Sequence, residues 1–182
     1  MRELALHILD VLENSLEAGA GQIELAVDED AAADGLRIIV RDDGRGMDAE
    51  TARRALDPFF TTRTTRHVGL GLPLFAAAAQ RCDGELTLES VPGHGTTVTA
   101  TFRRSHLDRA PLGDMTRTLL AFLLSERAAS LRFVYRHRVD GRAFDLDTAA
   151  LRAELDEVPF SHPLVRDWLG EYIGEGEAEL QV

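Results

Sequence analysis

The sequence predicts an α/β protein, and three observations lead there. Residues 2–18 place Leu4, Ile8, Val11, Leu12 and Leu16 at helical spacing. Several short apolar stretches bounded by Gly, Asp and Pro have the length of strands instead. The 182 residues and 45% hydrophobic content suit a chain that buries a core, as one ordinary domain or two small ones.

The elements follow in order. Gly19 ends the first helix. Residues 22–27 and 36–41 read as strands, joined by an acidic, alanine-rich connection suited to a loop or hairpin. The run RDDGRGM comes next, then a short helix near 49–56 and the irregular stretch DPFFTTRTTRHVGLGLP. A helix over 73–81 leads to strands at 85–90 and 96–103, joined by VPGHGT. A second unit, residues 104–182, begins after that: a helical stretch over 112–129, a hairpin of 131–139 with 142–146 turning at Asp-Gly, and two closing helices.

All 20 basic residues are arginine, so phosphate contacts fall to guanidinium groups or backbone amides. This excludes P-loop and Schiff-base chemistry, both of which need a lysine. Residues 145–182 hold ten acids against two arginines, a surface that repels nucleic acid and anionic lipid, and neither is expected as a partner. No stretch approaches the length of a membrane span and no export signal opens the chain, so the expectation is a soluble cytoplasmic protein. Cys82, the one cysteine, reads as a small buried residue late in a helix.

Four segments carry candidate chemistry. Asp10, Asn14 and Ala18 stack at four-residue intervals on the side of the first helix opposite its apolar stripe. In DDGRGM the two glycines permit close backbone approach to a ligand, while a carboxylate accepts a hydrogen bond from an amine. The polar, cationic loop from Thr61 to Arg66 feeds VGLGL at the start of a helix, where exposed amides and the helix dipole favour an anion. PGHGTT is a glycine turn into a strand. Singly, each is matched by an ordinary solvated face, turn, surface loop or hairpin.

In this order, the four segments resemble the superfamily of gyrase B, the heat-shock chaperone ATPases, MutL and histidine kinases (the Bergerat ATP-binding fold). LDVLENSLEAGA resembles the N-box in its MutL-type wording, RDDGRGM the box that holds the adenine-contacting aspartate, and DPFFTTR with VGLGLPLF the F-box and second glycine box of histidine kinases. PGHGTT resembles the final glycine box. The resemblance covers residues 2–103. It implies a two-layer α/β sandwich, with helices on one face of a mixed, mostly antiparallel sheet.

It also implies roles. Asn14 would ligate a Mg²⁺ that bridges the ATP phosphates. Asp42 would accept from the adenine exocyclic amine, with Gly44 and Gly46 allowing the approach. Phe59 and Phe60 would anchor a short lid. Thr62, Arg63 and the amides of Gly69, Leu70 and Gly71 would meet the phosphates, and Thr96 would support the adenine end.

Position 10 divides the possible activities. Hydrolytic relatives and the anti-sigma serine kinases carry a glutamate there as general base, whereas histidine kinases commonly carry an amide. Asp10 is a carboxylate shorter by one methylene, either a base with less reach or an organiser of metal-bound water. Residue 2 already belongs to the first motif, so no dimerising hairpin with a phosphoacceptor histidine is expected ahead of it. His7 reads as a helix-surface or core-edge histidine, and His106 with Asp108 as loop capping. The hairpin arginines around His137 offer partners to the acidic tail. The expected functions are an ATP·Mg²⁺-dependent regulatory switch on a protein partner or a protein kinase. The alternatives are a slow MutL-like ATPase, or a histidine-kinase catalytic subunit acting in trans on its phosphoacceptor.

Overall fold

A computed structural model describes residues 3–57, 71–156 and 158–181. The first helix, α1 (Leu4–Glu17), ends in a Schellman turn. Gly19 sits at φ 75°, its N–H donates to the Leu16 carbonyl (3.0 Å), and the Ala20 N–H donates to the Ser15 carbonyl (3.2 Å). Then come β1 (Gln22–Asp30), β2 (Gly35–Asp42), α2 (Ala49–Arg54), α3 (Gly71–Arg81), β3 (Leu86–Val91) and β4 (Gly95–Arg103). The chain continues through α4 (Met115–Leu123), β5 (Arg132–Val139), β6 (Arg142–Asp147), α5 (Thr148–Glu154) and α6 (Pro163–Glu179). The hairpin between β5 and β6 turns through Asp140 (φ 49°) and Gly141 (φ 90°), the pair of positive angles that a type I′ turn needs.

Among the described residues, six strands form one sheet in the order β3-β4-β2-β1-β5-β6. Every neighbouring pair is antiparallel except β1 with β5. The sheet is mixed and mostly antiparallel, as expected. It also runs across the expected boundary after residue 103, because β5 and β6 extend the sheet of β1–β4 and share its core. Alternation turns Ile23, Leu25 and Val27 of β1, Leu36, Ile38 and Val40 of β2, and Phe133 and Tyr135 of β5 onto the buried face. Helices α1, α3, α4 and α6 pack together in a helical layer. No helix among the described residues is long and apolar enough to cross a membrane.

The opposite face stays polar by pairing charges across strands. Arg37 of β2 meets Asp28 of β1 (3.2 Å), Arg132 of β5 meets Asp147 of β6 (2.8 Å), and Asp145 of β6 serves both Arg136 (3.8 Å) and Arg138 (3.7 Å). Columns of acid and arginine thus alternate from strand to strand, the arrangement that cross-strand neighbours favour.

Two differences from the sequence reading have local causes. The helix expected over 112–129 is confined to Met115–Leu123, because Gly113 takes φ 94° and Asp114 caps the start, its Oδ1 accepting from the Arg117 N–H (2.8 Å). Ser125 then turns extended, and only one 3₁₀ turn follows, Glu126–Ala128. Of that acidic stretch, the hairpin arginines Arg136 and Arg138 meet Asp145 on the neighbouring strand, and Arg142 donates to the Leu180 carbonyl (2.7 Å); α6 itself is met by the histidine between the first two.

His137 is fully buried. Its Nδ1 lies 2.9 Å from Oε2 of Glu177 on α6, and its Nε2 lies 3.5 Å from Oε1 of Glu29 on β1, an ion-pair distance too long for a hydrogen bond. The Tyr135 hydroxyl donates to Glu177 (2.7 Å), and Arg104 pairs with Glu29 (3.2 Å). Burial works against charge on the imidazole, but the two flanking glutamates outweigh it and raise the pKa from 6.5 to about 9. A group whose pKa rises on folding stabilises fully below its unfolded value and loses that contribution as pH climbs through the folded one. Unfolding free energy is therefore expected to fall between about pH 6.5 and 9, by on the order of 3 kcal/mol. Urea titrations across that window check it. His137→Gln should flatten the slope, and a wild-type slope that survives the substitution would remove His137 as its source.

Candidate functional site

Three of the four sequence segments, and Gly71 from the end of the remaining one, converge at one end of the sheet. Alternation along β2 places Asp42 on the buried face after Leu36, Ile38 and Val40, and the residue is only 8% exposed. A carboxylate in that position needs donors. The Ser15 hydroxyl of α1 lies 2.8 Å from Oδ2, and the Gly44 N–H donates to Oδ1 (2.9 Å). Each oxygen is thereby oriented by one internal donor and keeps lone-pair capacity for a ligand.

Glycine is required around this carboxylate. A Cβ on Gly44 would lie 2.8 Å from the Ala18 Cβ and 2.9 Å from Asp42 Oδ1. Gly46 takes φ 64°, and a Cβ there would collide with the Val91 carbonyl oxygen; on Gly95 (φ 87°) it would collide with the Asp42 carbonyl oxygen. The loop also closes the end of α1: the Arg45 N–H donates to the Ala18 carbonyl (3.0 Å), and its guanidinium to the Glu17 carbonyl (2.7 Å).

Thr96 of β4 sits directly opposite Asp42 in the β2–β4 register. Its Oγ1 is 2.9 Å from the hydroxyl of Ser90, which also accepts from the Met47 N–H (2.8 Å). On α1, Asn14 is half-buried and Asp10 exposed one turn earlier. Gly71, at the start of α3, faces Asp10 so closely that a Cβ would lie 3.2 Å from Asp10 Cβ and Oδ2. The structure thus gathers Asp42, Gly44, Gly46 and Thr96 around one carboxylate, and sets Asp10 against Gly71. Phe59, Phe60, Thr62, Arg63, Gly69 and Leu70 lie outside the described residues.

Ser15, Arg45 and Ser90 belong to this arrangement without having been singled out from the sequence. Ser15 was detectable as a hydroxyl on the buried side of the helix, and Ser90 as a polar residue in the inward phase of the alternation LTLES. His7 is buried, 3% exposed, and stacks on Phe75 with ring centroids 4.9 Å apart, so it lies within the core and not on the helix surface. Burial is the main cause that lowers its pKa to about 4. His106 caps its own loop by accepting from the Asp108 N–H (3.1 Å). Cys82 is buried just after α3, and burial raises its thiol pKa.

Gly46→Ala is expected to destabilise by more than about 2 kcal/mol, since it adds both a steric collision and a positive φ to a side-chain-bearing residue. Chemical denaturation measures this, and a loss under about 0.5 kcal/mol would mean that the loop relaxes freely.

Comparison with known proteins points the same way. The family described as histidine kinase-, DNA gyrase B-, and HSP90-like ATPase matches residues 2–106. The sensor protein kinase FleS of Pseudomonas aeruginosa is 45% identical over 92 residues, which cover 50% of this chain and 23% of FleS. The signal transduction histidine-protein kinase AtoS of Escherichia coli is 31% identical over 100 residues, covering 54% of this chain and 16% of AtoS. Sporulation kinase C of Bacillus subtilis is 31% identical over 88 residues, 48% of this chain and 20% of that kinase. The chain thus spans less than a quarter of the length of these relatives. A crystal structure titled as the N-terminal domain of a DNA repair protein superposes with a TM-score of 0.55 at 16% identity, covering 81% of this chain and 53% of that one. That likeness concerns the fold, and it extends past residue 106.

Proposed function

Because the chain belongs to the histidine kinase-, DNA gyrase B- and HSP90-like ATPase family, we propose that it binds ATP with Mg²⁺ and acts as a nucleotide-dependent switch or kinase on a protein partner. The observation that carries the reading is the buried Asp42 carboxylate, with one fixed donor on each oxygen and a glycine cradle in front of it. Gly44 and Gly46 let the loop backbone pack against Ala18, Asp42 and the Val91 and Gly95 carbonyls, where side chains have no room, and so hold the carboxylate in place for an aromatic amine. The donor set fits the nucleotide: Asp42 would hold the amine of the base, Thr96 the adjoining edge, and Asn14 would offer a hard oxygen to the cation. Bound ATP would supply a transferable γ-phosphoryl group.

The residues outside the described ones, Phe60, Thr62, Arg63, Gly69 and Leu70, complete this proposal as lid and phosphate contacts, with Gly71 opening the helix behind them. Asp10, which packs against Gly71, would act as a general base or as an organiser of metal-bound water. A slow ATPase, or a histidine-kinase catalytic subunit acting in trans, uses the same residues and differs only in the acceptor. We assign residues 1–103 the nucleotide and residues 104–182 the support of its first helix. Pro111 and Leu112 accept from the Leu4 and Ala5 N–H groups at the N-terminus of α1 (3.0 and 2.8 Å), and Arg127 pairs with Glu13 (3.7 Å).

Calorimetry tests the reading. Asp42→Asn is expected to weaken ATP binding about tenfold to hundredfold, the cost of losing a charged hydrogen bond in a buried site. Asn14→Ala is expected to lower affinity in the presence of Mg²⁺ and to leave the metal-free affinity unchanged. Equal affinities for wild type and Asp42→Asn would refute the site. Asp10→Asn should keep nucleotide affinity and reduce hydrolysis or phosphotransfer at least about 10²-fold, and unchanged turnover would take Asp10 out of the chemistry.

A further inference from the structure

Independently of the nucleotide site, we propose that the outer edge of β6 docks an extended segment of another protein, in which basic residues alternate with apolar ones. β6 is the last strand on its side of the sheet, and among the described residues no strand pairs with its outer edge. The direction of its backbone groups follows from β5. The Arg132 N–H donates to the Gly21 carbonyl (3.0 Å) and the Asp140 N–H to the Glu29 carbonyl (3.0 Å), so even-numbered residues of this strand turn toward β1 and odd-numbered ones toward β6. Val139, His137 and Tyr135 are registered against Arg142, Phe144 and Leu146, which exchange N–H and C=O bonds with them. Ala143 and Asp145 therefore direct theirs outward, and both residues are exposed.

A groove of about 520 Å³ follows this edge. Its lining takes Arg136, Arg138 and Asp145 from the open face of the sheet, and Trp168 and Tyr172 from α6 on the covered face. Residues of both faces share one groove only at the rim between them. Trp168 and Tyr172 stack with centroids 5.4 Å apart and planes 14° from parallel, and Tyr172 meets Phe144 edge-on at 5.6 Å, so the aromatic wall is anchored to β6 itself. An added strand would take its hydrogen bonds from Ala143 and Asp145, and would send alternate side chains to the two walls.

Charge identifies the occupant. On the open face the row Arg37, Asp28, Arg138 alternates in sign across β2, β1 and β5, and Arg138 and Arg136 then turn to Asp145 of β6. The sheet thus stops on an acidic column, and cross-strand pairing favours a basic one beside it. Asp145 meets its two arginines at 3.7 and 3.8 Å and its side chain stays 55% exposed, which leaves room for a further cation. Glu154 also lines the groove, and Asp167 and Glu171 lie exposed on either side of Trp168 in α6. On the other wall the Trp168 and Tyr172 rings offer apolar area to the residues between the basic ones. A second copy of this chain would bring its own Asp145 and Asp147 to the edge, like charge against like.

The test titrates the whole chain with a capped peptide of alternating arginine and valine, followed by the fluorescence of Trp168, the one tryptophan present. This peptide is expected to bind at least about tenfold more tightly than its glutamate–valine counterpart. N-methylation of one alternate set of its amides should abolish binding, and methylation of the other set should not. Amide exchange at Ala143 and Asp145 should slow on binding, with Phe144 and Leu146 unchanged. Asp145→Arg should invert the preference toward the glutamate–valine peptide; if that variant does not fold, Asp145→Ala should reduce the preference severalfold. No binding of the arginine–valine peptide at about 1 mM would overturn the proposal. So would equal tolerance of both methylated forms, or a preference that survives substitution of Asp145. A dimer in sedimentation that protects the Ala143 and Asp145 amides would give the edge to a second copy and overturn it as well. None of these outcomes bears on ATP binding, which stands or falls on the Asp42 variants.

Discussion

The parallel pairing of β1 with β5 is the constraint from which the rest of the architecture follows. β1 is hydrogen-bonded along both edges, to β2 on one side and to β5 on the other, in the unbroken register Gln22↔Arg132 through Glu29↔Val139. Parallel neighbours need a long crossover, and here the chain spends it on β2 to β4, α4 and the connection around them. That connection carries Pro111 and Leu112 to the start of α1, where their carbonyls take the first N–H groups of the helix. The helix that bears Asn14 and Ser15 is thus held at its N-terminus by residues from beyond the family-matched segment, and at its C-terminus by Arg45 from within it.

Two buried histidines illustrate how the same side chain is assigned opposite charge states. His7 stacks on Phe75 with no hydrogen-bond partner for its Nδ1 among the described residues, and burial keeps it neutral down to about pH 4. His137 is flanked by Glu29 and Glu177, which hold it charged up to about pH 9 against the same desolvation. The Asp42 site follows a third logic. Its carboxylate is held by neutral donors, Ser15 and Gly44, with no paired cation among the described residues, and so keeps its capacity for a ligand.

Local structure was legible in the sequence wherever period and turn chemistry decide it. The α1 stripe, Gly19 as its stop, the Asp-Gly hairpin and the strand pairs all follow from spacing over a few residues. The choice of strand partner does not, since Gln22 and Arg132 lie far apart in sequence and neither carries a mark of the other. His137 had a signal: in RHRV the arginines and the histidine fall on opposite phases of a strand, so exposed arginines imply an inward histidine. Glu177 had none, being one acid among many on α6 until contact distinguishes it. Asp42 and its glycines were readable as a motif. Of the donors that orient Asp42, Gly44 belonged to that motif, whereas Ser15 was visible only as a hydroxyl on the buried side of its helix, and its pairing with Asp42 exists only once β2 is packed beneath it.

The alternating columns of charge on the open face of the sheet shape the field that the molecule projects. Strand by strand, acids and arginines there cancel, so beyond a Debye length that face is close to neutral. The chain nevertheless carries −11. Part of that excess lies on α6, where Asp167, Glu171, Glu175 and Glu179 recur at four-residue intervals and are exposed. The protein is in consequence electrically lopsided. A diffusing partner feels little from the sheet side and an attraction or repulsion from the α6 side, so in dilute salt the approach of any charged partner is biased in orientation before contact is made.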